Sequence, residues 1–141
     1  MTMCTPQRFP VLYLIGPMAG LPDHGYAEFD KACKWYRKIG YTVLSPHEGA
    51  PTVEQIDRAM RRGLVQDFRD TDLYARMMKR DMFYVLQANA LIALPDWEHS
   101  KGANTEALVA HTIGTPIFRA YTSVRIDDLP TINTMTRTTA R

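Results

Sequence analysis

FPVLYLI, residues 9–15, is a short run of apolar, aromatic and β-branched residues that ends at Gly16-Pro17. Because the run is apolar throughout rather than alternating, it predicts a strand buried on both faces, as in a parallel sheet. Parallel strands need long crossover connections, which are usually helices. The run therefore predicts an α/β fold in which helical segments follow it.

The sequence downstream alternates between helical and strand patterns. Apolar residues at three- and four-residue steps predict helices over 26–39 and 71–88. The charged, weakly periodic stretch 52–70 has room for a short helix over 53–60, and a further helix over 103–113 is expected to end at Gly114. Short apolar runs predict further strands over 41–44, 90–94 and 115–118. This alternation predicts a parallel sheet with right-handed crossovers. Ligands of such sheets bind beyond the carboxyl ends of the strands, which directs attention to the loops after Ile15 and Leu94.

Length and composition predict one globular domain over residues 1–125. The chain has 141 residues, of which 45% are hydrophobic and 23% charged, and that length needs no disulfide or structural metal to fold. Residues 126–141 have little apolar content and are expected to form a mobile or partner-bound C-terminal tail. The two cysteines are too few for a disulfide framework, which favours a reducing compartment. Because the sequence also shows neither a membrane span nor a signal peptide, a cytoplasmic protein is expected.

Several classes of partner are disfavoured. The net charge is only +2, and the chain lacks the dense basic stripe with interleaved aromatics that nucleic-acid binding favours. The dinucleotide pattern GxGxxG and the phosphate-loop pattern GxxxxGK[ST] are absent. The four histidines lack metal-ligand spacing, so no metal site is expected; His99 is the one that lies in a candidate loop.

Two carboxylates are candidates for chemistry. Asp81 lies in the apolar stripe of its helix, either as an ion-pair partner of Lys79 or Arg80 or as a buried acid whose pKa is raised by desolvation. Glu106 lies in the first turn or two of the last helix, where the helix dipole favours its anion. Such a glutamate is commonly structural, but an ionised carboxylate at the carboxyl edge of a sheet is also what attack on an anomeric carbon requires.

Two aromatic residues have alternative roles. Tyr13 lies inside the first strand, where packing is the default; if its hydroxyl points toward the carboxyl edge, it orients Glu106. Trp97 lies in the loop after the third strand and either stacks on a base or covers the end of the sheet.

Three blocks of sequence together resemble a known family. They are residues 13–22 (YLIGPMAGLP) with Tyr26 and Phe29, residues 78–81 (MKRD), and residues 94–98 (LPDWE) with Ser100, Gly102, Ala103 and Glu106. From Val11 to Phe118 the chain resembles a phage and bacterial family of uncharacterised proteins related to nucleoside 2-deoxyribosyltransferases and to 2′-deoxynucleoside 5′-phosphate N-hydrolases. The resemblance implies a flavodoxin-like, Rossmann-type parallel sheet of four or five strands flanked by helices. It also implies a homodimer or higher homo-oligomer with active sites near the subunit contacts.

The resemblance also implies roles for residues at matching positions. Glu106 matches the nucleophile, Asp81 the aspartate that serves the leaving base, and Tyr13 the tyrosine that orients the nucleophile. The implied substrate-binding residues are Gly16, Met18, Gly20, Asp96, Trp97, Ser100 and Gly102. Neither a metal nor an organic cofactor is needed for this chemistry.

Substrate class depends on a few departures. Ser100 stands where the nucleoside transferases carry an aspartate and the phosphate hydrolases a serine, which favours a 5′-phosphate. Pro17 and Ala19 replace polar phosphate-contacting residues, and Asn89 replaces an aspartate found in many relatives.

The expected function is cleavage of the N-glycosidic bond of a (deoxy)nucleoside 5′-monophosphate by Glu106, with release of free base. The first alternative is base exchange, as in a 2-deoxyribosyltransferase, and the second is a non-catalytic nucleotide-binding protein. Hydrolysis of a dinucleotide would need a longer groove than the loops supply.

Overall fold

A computed structural model of the protein describes residues 4–18 and 20–129. Its helices are α1 (Tyr26–Ile39), α2 (Val53–Gly63), α3 (Asp72–Gln87) and α4 (Lys101–Thr112). Its strands are β1 (Val11–Ile15), β2 (Thr42–Leu44), β3 (Ala90–Ala93) and β4 (Ile117–Arg119). Short 3-10 turns lie at Phe68–Asp70 and Trp97–His99. Every helix and strand predicted from the sequence is present, with small shifts at the ends and with α2 extended to Gly63.

Within the described residues, the strands form one parallel sheet in the order β2-β1-β3-β4. Leu12 of β1 pairs with Val43 on one side and with Ala90 on the other. The chain therefore places β2 on one side of β1 and then crosses to place β3 on the other, which creates a topological switch point. This order and the flanking helices confirm the predicted flavodoxin-like α/β fold. The crevice of such a fold lies at the carboxyl ends of β1 and β3.

The two faces of β1 serve two separate cores. Leu12 and Leu14 pack with Phe29 and other residues of α1 on one face of the sheet. Tyr13 and Ile15 face the other way and belong to a cluster that includes residues of α3 and α4. Because side chains alternate along a strand, Tyr13 is directed toward the two helices that carry the candidate carboxylates.

Hydrogen-bonding side chains mark the beginnings of three helices. Thr52 and Gln55 form a capping box at α2, Thr71 caps α3, and Ser100 caps α4. These caps satisfy backbone N–H groups that have no partner within the helix. No helix in the described part of the chain combines the length and apolar character needed to cross a membrane.

The ordered domain continues past residue 125, where the sequence placed its end. The Ile126 amide donates to the Ile117 carbonyl over 2.7 Å, and Ile126 and Leu129 are buried in the cluster that contains Tyr13. The same segment makes an antiparallel bridge between Arg125 and Phe118, which covers the free edge of β4. The two apolar residues Ile126 and Leu129 therefore pack this segment against the domain. Residues 130–141 of the expected tail lie outside the described part of the chain.

Candidate active site

The structure brings Tyr13, Asp81 and Glu106 together on the α3 and α4 side of the sheet. The Tyr13 hydroxyl donates a hydrogen bond to Oε2 of Glu106. Asp81 lies close enough to raise the pKa values of both Tyr13 and Glu106 through its charge. The three side chains are buried, with at most 6% of each residue exposed. They therefore form one enclosed polar cluster beside β1.

Tyr13 is a permanent hydrogen-bond donor in this cluster. Burial raises its pKa well above the ordinary value, and the charges of Glu106 and Asp81 raise it further. Its hydroxyl therefore stays protonated at any pH at which the fold is used. The bond engages one oxygen of Glu106 and leaves Oε1 as the second acceptor.

Glu106 is less acidic than its place on α4 predicts. Burial raises its pKa to about 8, the nearby charge of Asp81 also raises it, and the Tyr13 hydrogen bond opposes this. Glu106 lies in the second turn of α4, which begins at Lys101, within the first turn or two that the sequence predicted. The helix dipole acts mainly within the first turn, whereas desolvation acts wherever the group is buried.

The sequence left two alternatives open for Asp81, an ion-pair partner or a buried acid, and the structure shows the features of both. It is 3% exposed, and burial raises its pKa to about 6. The neighbouring Arg80 opposes that shift through its charge and its hydrogen bonds. Asp81 is therefore both a buried acid and an ion-pair partner.

Asp81 and Glu106 titrate as a coupled pair that holds one proton between about pH 6 and about pH 8. The proton belongs to the pair rather than to one residue, and the form with Glu106 ionised and Asp81 protonated combines a nucleophile with an acid. A positive charge developing on a substrate carbon beside Glu106 would favour that form. Two carboxyl groups with separated pKa values are the arrangement used in glycosidic bond cleavage.

The N-terminus of α4 carries two of the predicted substrate-binding residues. The Ser100 hydroxyl accepts a hydrogen bond from the Ala103 amide over 3.2 Å, and its own proton remains free to donate to another acceptor. Gly102 faces open space, since a Cβ built there has no atom within 4 Å. The first turn of α4 is therefore accessible to a ligand, and its amides and dipole favour an anion there.

Trp97 covers the end of the sheet and does not present a ring face for stacking. It is only 3% exposed and packs in the cluster that contains Tyr13 and Ile15. Its indole Nε1 is buried without a hydrogen-bond partner among the described residues. Of the two roles expected for Trp97, the structure supports the covering role.

The remaining predicted binding residues are turn or packing residues. A Cβ at Gly16 would lie 3.0 Å from Cβ of Leu94, so glycine lets the carboxyl ends of β1 and β3 approach. Met18 is half-buried against the α1 core. Gly20 and Asp96 are exposed and have left-handed backbone conformations, with φ of 81° and 66°. A binding role for these four residues stays a prediction.

Three groups of residues at the site were not predicted from the sequence. Gly25 has a φ of 72°, and a Cβ there would lie 2.4 Å from the Pro17 carbonyl oxygen, so it closes the loop after β1. The charge of Asp81 contributes to the raised pKa values of Tyr26 and Tyr74, and the Tyr84 ring lies 6.0 Å from the Tyr13 ring. Arg80, considered only as an ion-pair partner, also binds a distant loop. The sequence assigned these tyrosines no role at the site, although Tyr26 belongs to one of the blocks that carry the family resemblance.

Metal binding finds no support in the described residues, where no group of three or more His, Cys, Asp or Glu side chains is arranged to hold an ion. His99, which the sequence singled out, is exposed at the end of the Trp97–His99 turn.

The fold and the paired carboxylates define an α/β protein with a candidate site at the switch point of a parallel sheet. The chain belongs to the family described as "Domain of unknown function (DUF4406)", which matches residues 10–119. The family resemblance noted in the sequence is thus supported over nearly the same range. No curated protein matches the chain.

Two solved structures share the fold. One is a 2-deoxyribosyltransferase from the psychrotolerant bacterium Bacillus psychrosaccharolyticus, with a TM-score of 0.55 and 20% sequence identity, over 77% of this chain and 70% of that one. The other is a conserved protein from Enterococcus faecalis V583, with a TM-score of 0.50 and 20% identity, over 77% of this chain and 61% of that one. At this level of identity the likeness shows a common fold. The comparison supports the flavodoxin-like α/β fold that the sequence predicted.

Proposed function

We propose that the protein cleaves the N-glycosidic bond of a (deoxy)nucleoside 5′-monophosphate and releases the free base, with Glu106 as the nucleophile. The observation that carries the proposal is the buried pair of Glu106 and Asp81, with unequal raised pKa values and with Tyr13 bonded to one oxygen of Glu106. Asp81 also pairs with Arg80, but a structural ion pair does not require the second buried acid, Glu106, whose pKa the charge of Asp81 raises. Two acids that share a proton beside the ligand crevice favour chemistry.

The proposed reaction has two steps. In the first, Oε1 of Glu106 bonds to the anomeric carbon while the bond from that carbon to the base nitrogen breaks. The electron pair of the broken bond goes to the base, which takes the proton of Asp81, and a glycosyl ester of Glu106 remains. In the second, water attacks the anomeric carbon, Glu106 leaves as the carboxylate, and Asp81 accepts the water proton. Tyr13 keeps Oε2 in place through both steps.

Recognition of a 5′-phosphate is assigned to the first turn of α4. The Ser100 hydroxyl, the accessible backbone over Gly102 and the exposed Lys101 side chain provide hydrogen-bond donors and positive charge there. Helix N-termini are common phosphate sites for these reasons. This feature supports a monophosphate over a free nucleoside.

The proposal is tested by incubating the protein with nucleosides and nucleoside 5′-monophosphates and separating free base by chromatography. We expect base release that is faster from the monophosphates. A second, labelled base in the same reaction detects exchange, which would identify a transferase instead. Ligand binding without base release would identify a nucleotide-binding protein.

The pH dependence of base release should be bell-shaped, with limbs near pH 6 and pH 8. Below the lower limb both carboxyls are protonated and Glu106 cannot attack, whereas above the upper limb both are ionised and no acid remains. The upper limb is the more diagnostic one, since a substrate 5′-phosphate itself titrates near pH 6. Tyr13→Phe removes a bond that lowers the pKa of Glu106, so it should move the upper limb to higher pH. An upper limb that Tyr13→Phe leaves in place would contradict this assignment.

A homodimer remains part of the proposal, and the outward face of α3 is assigned to it. Phe83 and Leu86 are 57% and 61% exposed there, and they line a largely apolar groove of about 460 Å³ together with Met78, Met82 and Lys79. A two-fold axis would place this groove against the same apolar side chains of a second copy, which removes a patch of exposed apolar surface.

The assembly is checked by light scattering at micromolar concentration. The wild type should be a dimer, and Leu86→Lys should be a monomer because it puts a charge into the apolar contact. Ile113→Lys, which replaces another exposed apolar residue, should leave the dimer intact. A monomeric wild type would contradict the proposed homodimer.

A further inference from the structure

Arg80 is fixed from two directions. Its Nη2 donates to the Pro46 carbonyl over 2.7 Å, and its Nη1 donates to the Glu48 carbonyl over 3.1 Å, both in the loop after β2. The guanidinium also lies over the Tyr84 ring, 5.6 Å from its centroid. The Arg80 side chain is 27% exposed, so these contacts are partly shielded from water. Arg80 is therefore held in one place by groups outside its own helix turn.

The Arg80 guanidinium also binds Asp81, and it contacts only one of the two carboxylate oxygens. Nε and Nη2 of Arg80 lie 3.2 Å and 3.1 Å from Oδ1 of Asp81. Adjacent residues on a helix point in different directions and do not normally pair. The contact exists because the loop carbonyls draw the guanidinium back across the carboxylate. Oδ2 of Asp81 is left outside this arrangement.

We propose that Arg80 is the positioning residue of the site: the loop after β2 holds its guanidinium, which binds Oδ1 of Asp81 and leaves Oδ2 to serve the leaving base. The proposal rests on the proposed function, in which Asp81 gives its proton to the base. Arginine suits this role because its planar fork reaches two carbonyls and a carboxylate at once, whereas the single ammonium of lysine does not.

The charge of Arg80 has a second effect on Asp81, since it opposes the desolvation that raises the Asp81 pKa. The other titratable groups whose pKa values respond to Asp81 are Tyr13, Tyr26, Tyr74 and Glu106. The tyrosines stay neutral in the working range, and Arg80 is the charged neighbour that lowers the Asp81 pKa. Without Arg80 the acid would hold its proton more tightly and give it up less readily.

The first test measures the Asp81 pKa directly, by carbon NMR of protein with labelled aspartate carboxyls and with Asp81→Asn to assign the resonance. Arg80→Gln should raise the Asp81 pKa by about one unit or more, as expected when an adjacent opposite charge is removed. Arg80→Lys keeps a charge and should shift it less. Arg76→Gln, an exposed arginine on the same helix, should leave it unchanged. An unchanged Asp81 pKa in folded Arg80→Gln overturns the proposal, whether or not the wild type releases base.

The second test uses base release. Arg80→Gln and Arg80→Lys should lower kcat for a natural nucleotide about 10- to 100-fold with little change in KM. A substrate with an activated leaving group needs no proton from Asp81, so both variants should cleave it within a few-fold of wild type. Equal losses on both substrates would show a merely structural role and overturn the proposal. A wild type that releases no base defeats the proposed function instead, and the NMR result then decides the role of Arg80.

Discussion

Glu106→Gln should release base from a natural nucleotide at least about 10³-fold more slowly than the wild type. The amide has nearly the shape of the carboxyl and its oxygen can still accept the hydrogen bond from Tyr13. It cannot form the glycosyl ester, and no leaving group compensates for a missing nucleophile. Substrate binding should survive, because the substituted side chain keeps nearly the same size and shape. Glu54→Gln on the exposed face of α2 is the matched control and should retain full activity.

The same variant has a predicted effect on stability, which separates loss of chemistry from loss of fold. Burial raises the pKa of Glu106 from 4.5 to about 8, so the folded state holds a proton that the unfolded chain releases. Wild-type stability from this group is full below pH 4.5 and declines as the pH rises toward 8. Glu106→Gln has no carboxyl to titrate, so its stability lacks that decline. The Tm of the variant, compared with that of the wild type, should therefore increase as the pH rises from 4.5 toward 8. Base release by Glu106→Gln at nearly the wild-type rate would contradict the assignment of Glu106 as the nucleophile.

Asp81→Asn should show the second largest loss, about 10²- to 10⁴-fold on a natural nucleotide, which is the usual contribution of a general acid. Its amide oxygen can still accept from Arg80, so the ion-pair position is filled while the transferable proton is gone. With an activated leaving group the loss should shrink to about tenfold or less, since such a base departs without protonation.

Asp57→Asn, an exposed aspartate on α2, is the control and should match wild type on both substrates. If Asp81→Asn slowed the activated and natural substrates equally, Asp81 would have no part in the departure of the base.

Local apolar pattern was enough to predict the order of strands and helices, because each strand is a nearly continuous apolar run. The apolar pattern did not show which face of the sheet each β1 side chain occupies, because the run does not alternate and Leu12 and Tyr13 both belong to it. The buried segment around Ile126 and Leu129 was missed for a related reason. Two isolated apolar residues in a polar stretch carry no periodicity, and their burial depends on the edge of β4.

The candidate site could be located from the sequence, but its electrostatics could not. The residue types and spacing brought Asp81 and Glu106 into consideration, and the fold places them together. The helix dipole, which favours the Glu106 anion, is visible in the sequence, whereas the depth of burial, which raises the Glu106 pKa, is not. The bond from Arg80 to the Pro46 carbonyl spans 34 residues, and no local pattern reveals a contact of that kind.

A covalent glycosyl ester on Glu106 is the intermediate on which the proposed reaction depends, and mass spectrometry of the enzyme during turnover detects it directly. A nucleotide analogue with fluorine at the sugar C2 and an activated base should slow both steps, because fluorine destabilises the oxocarbenium-like transition state. Departure of the good leaving group keeps the first step faster than the second. The protein should gain the mass of one sugar phosphate, and the digest should place it on the peptide containing Glu106. Release of base with Glu106 unmodified, or the sugar attached to another residue, would contradict it.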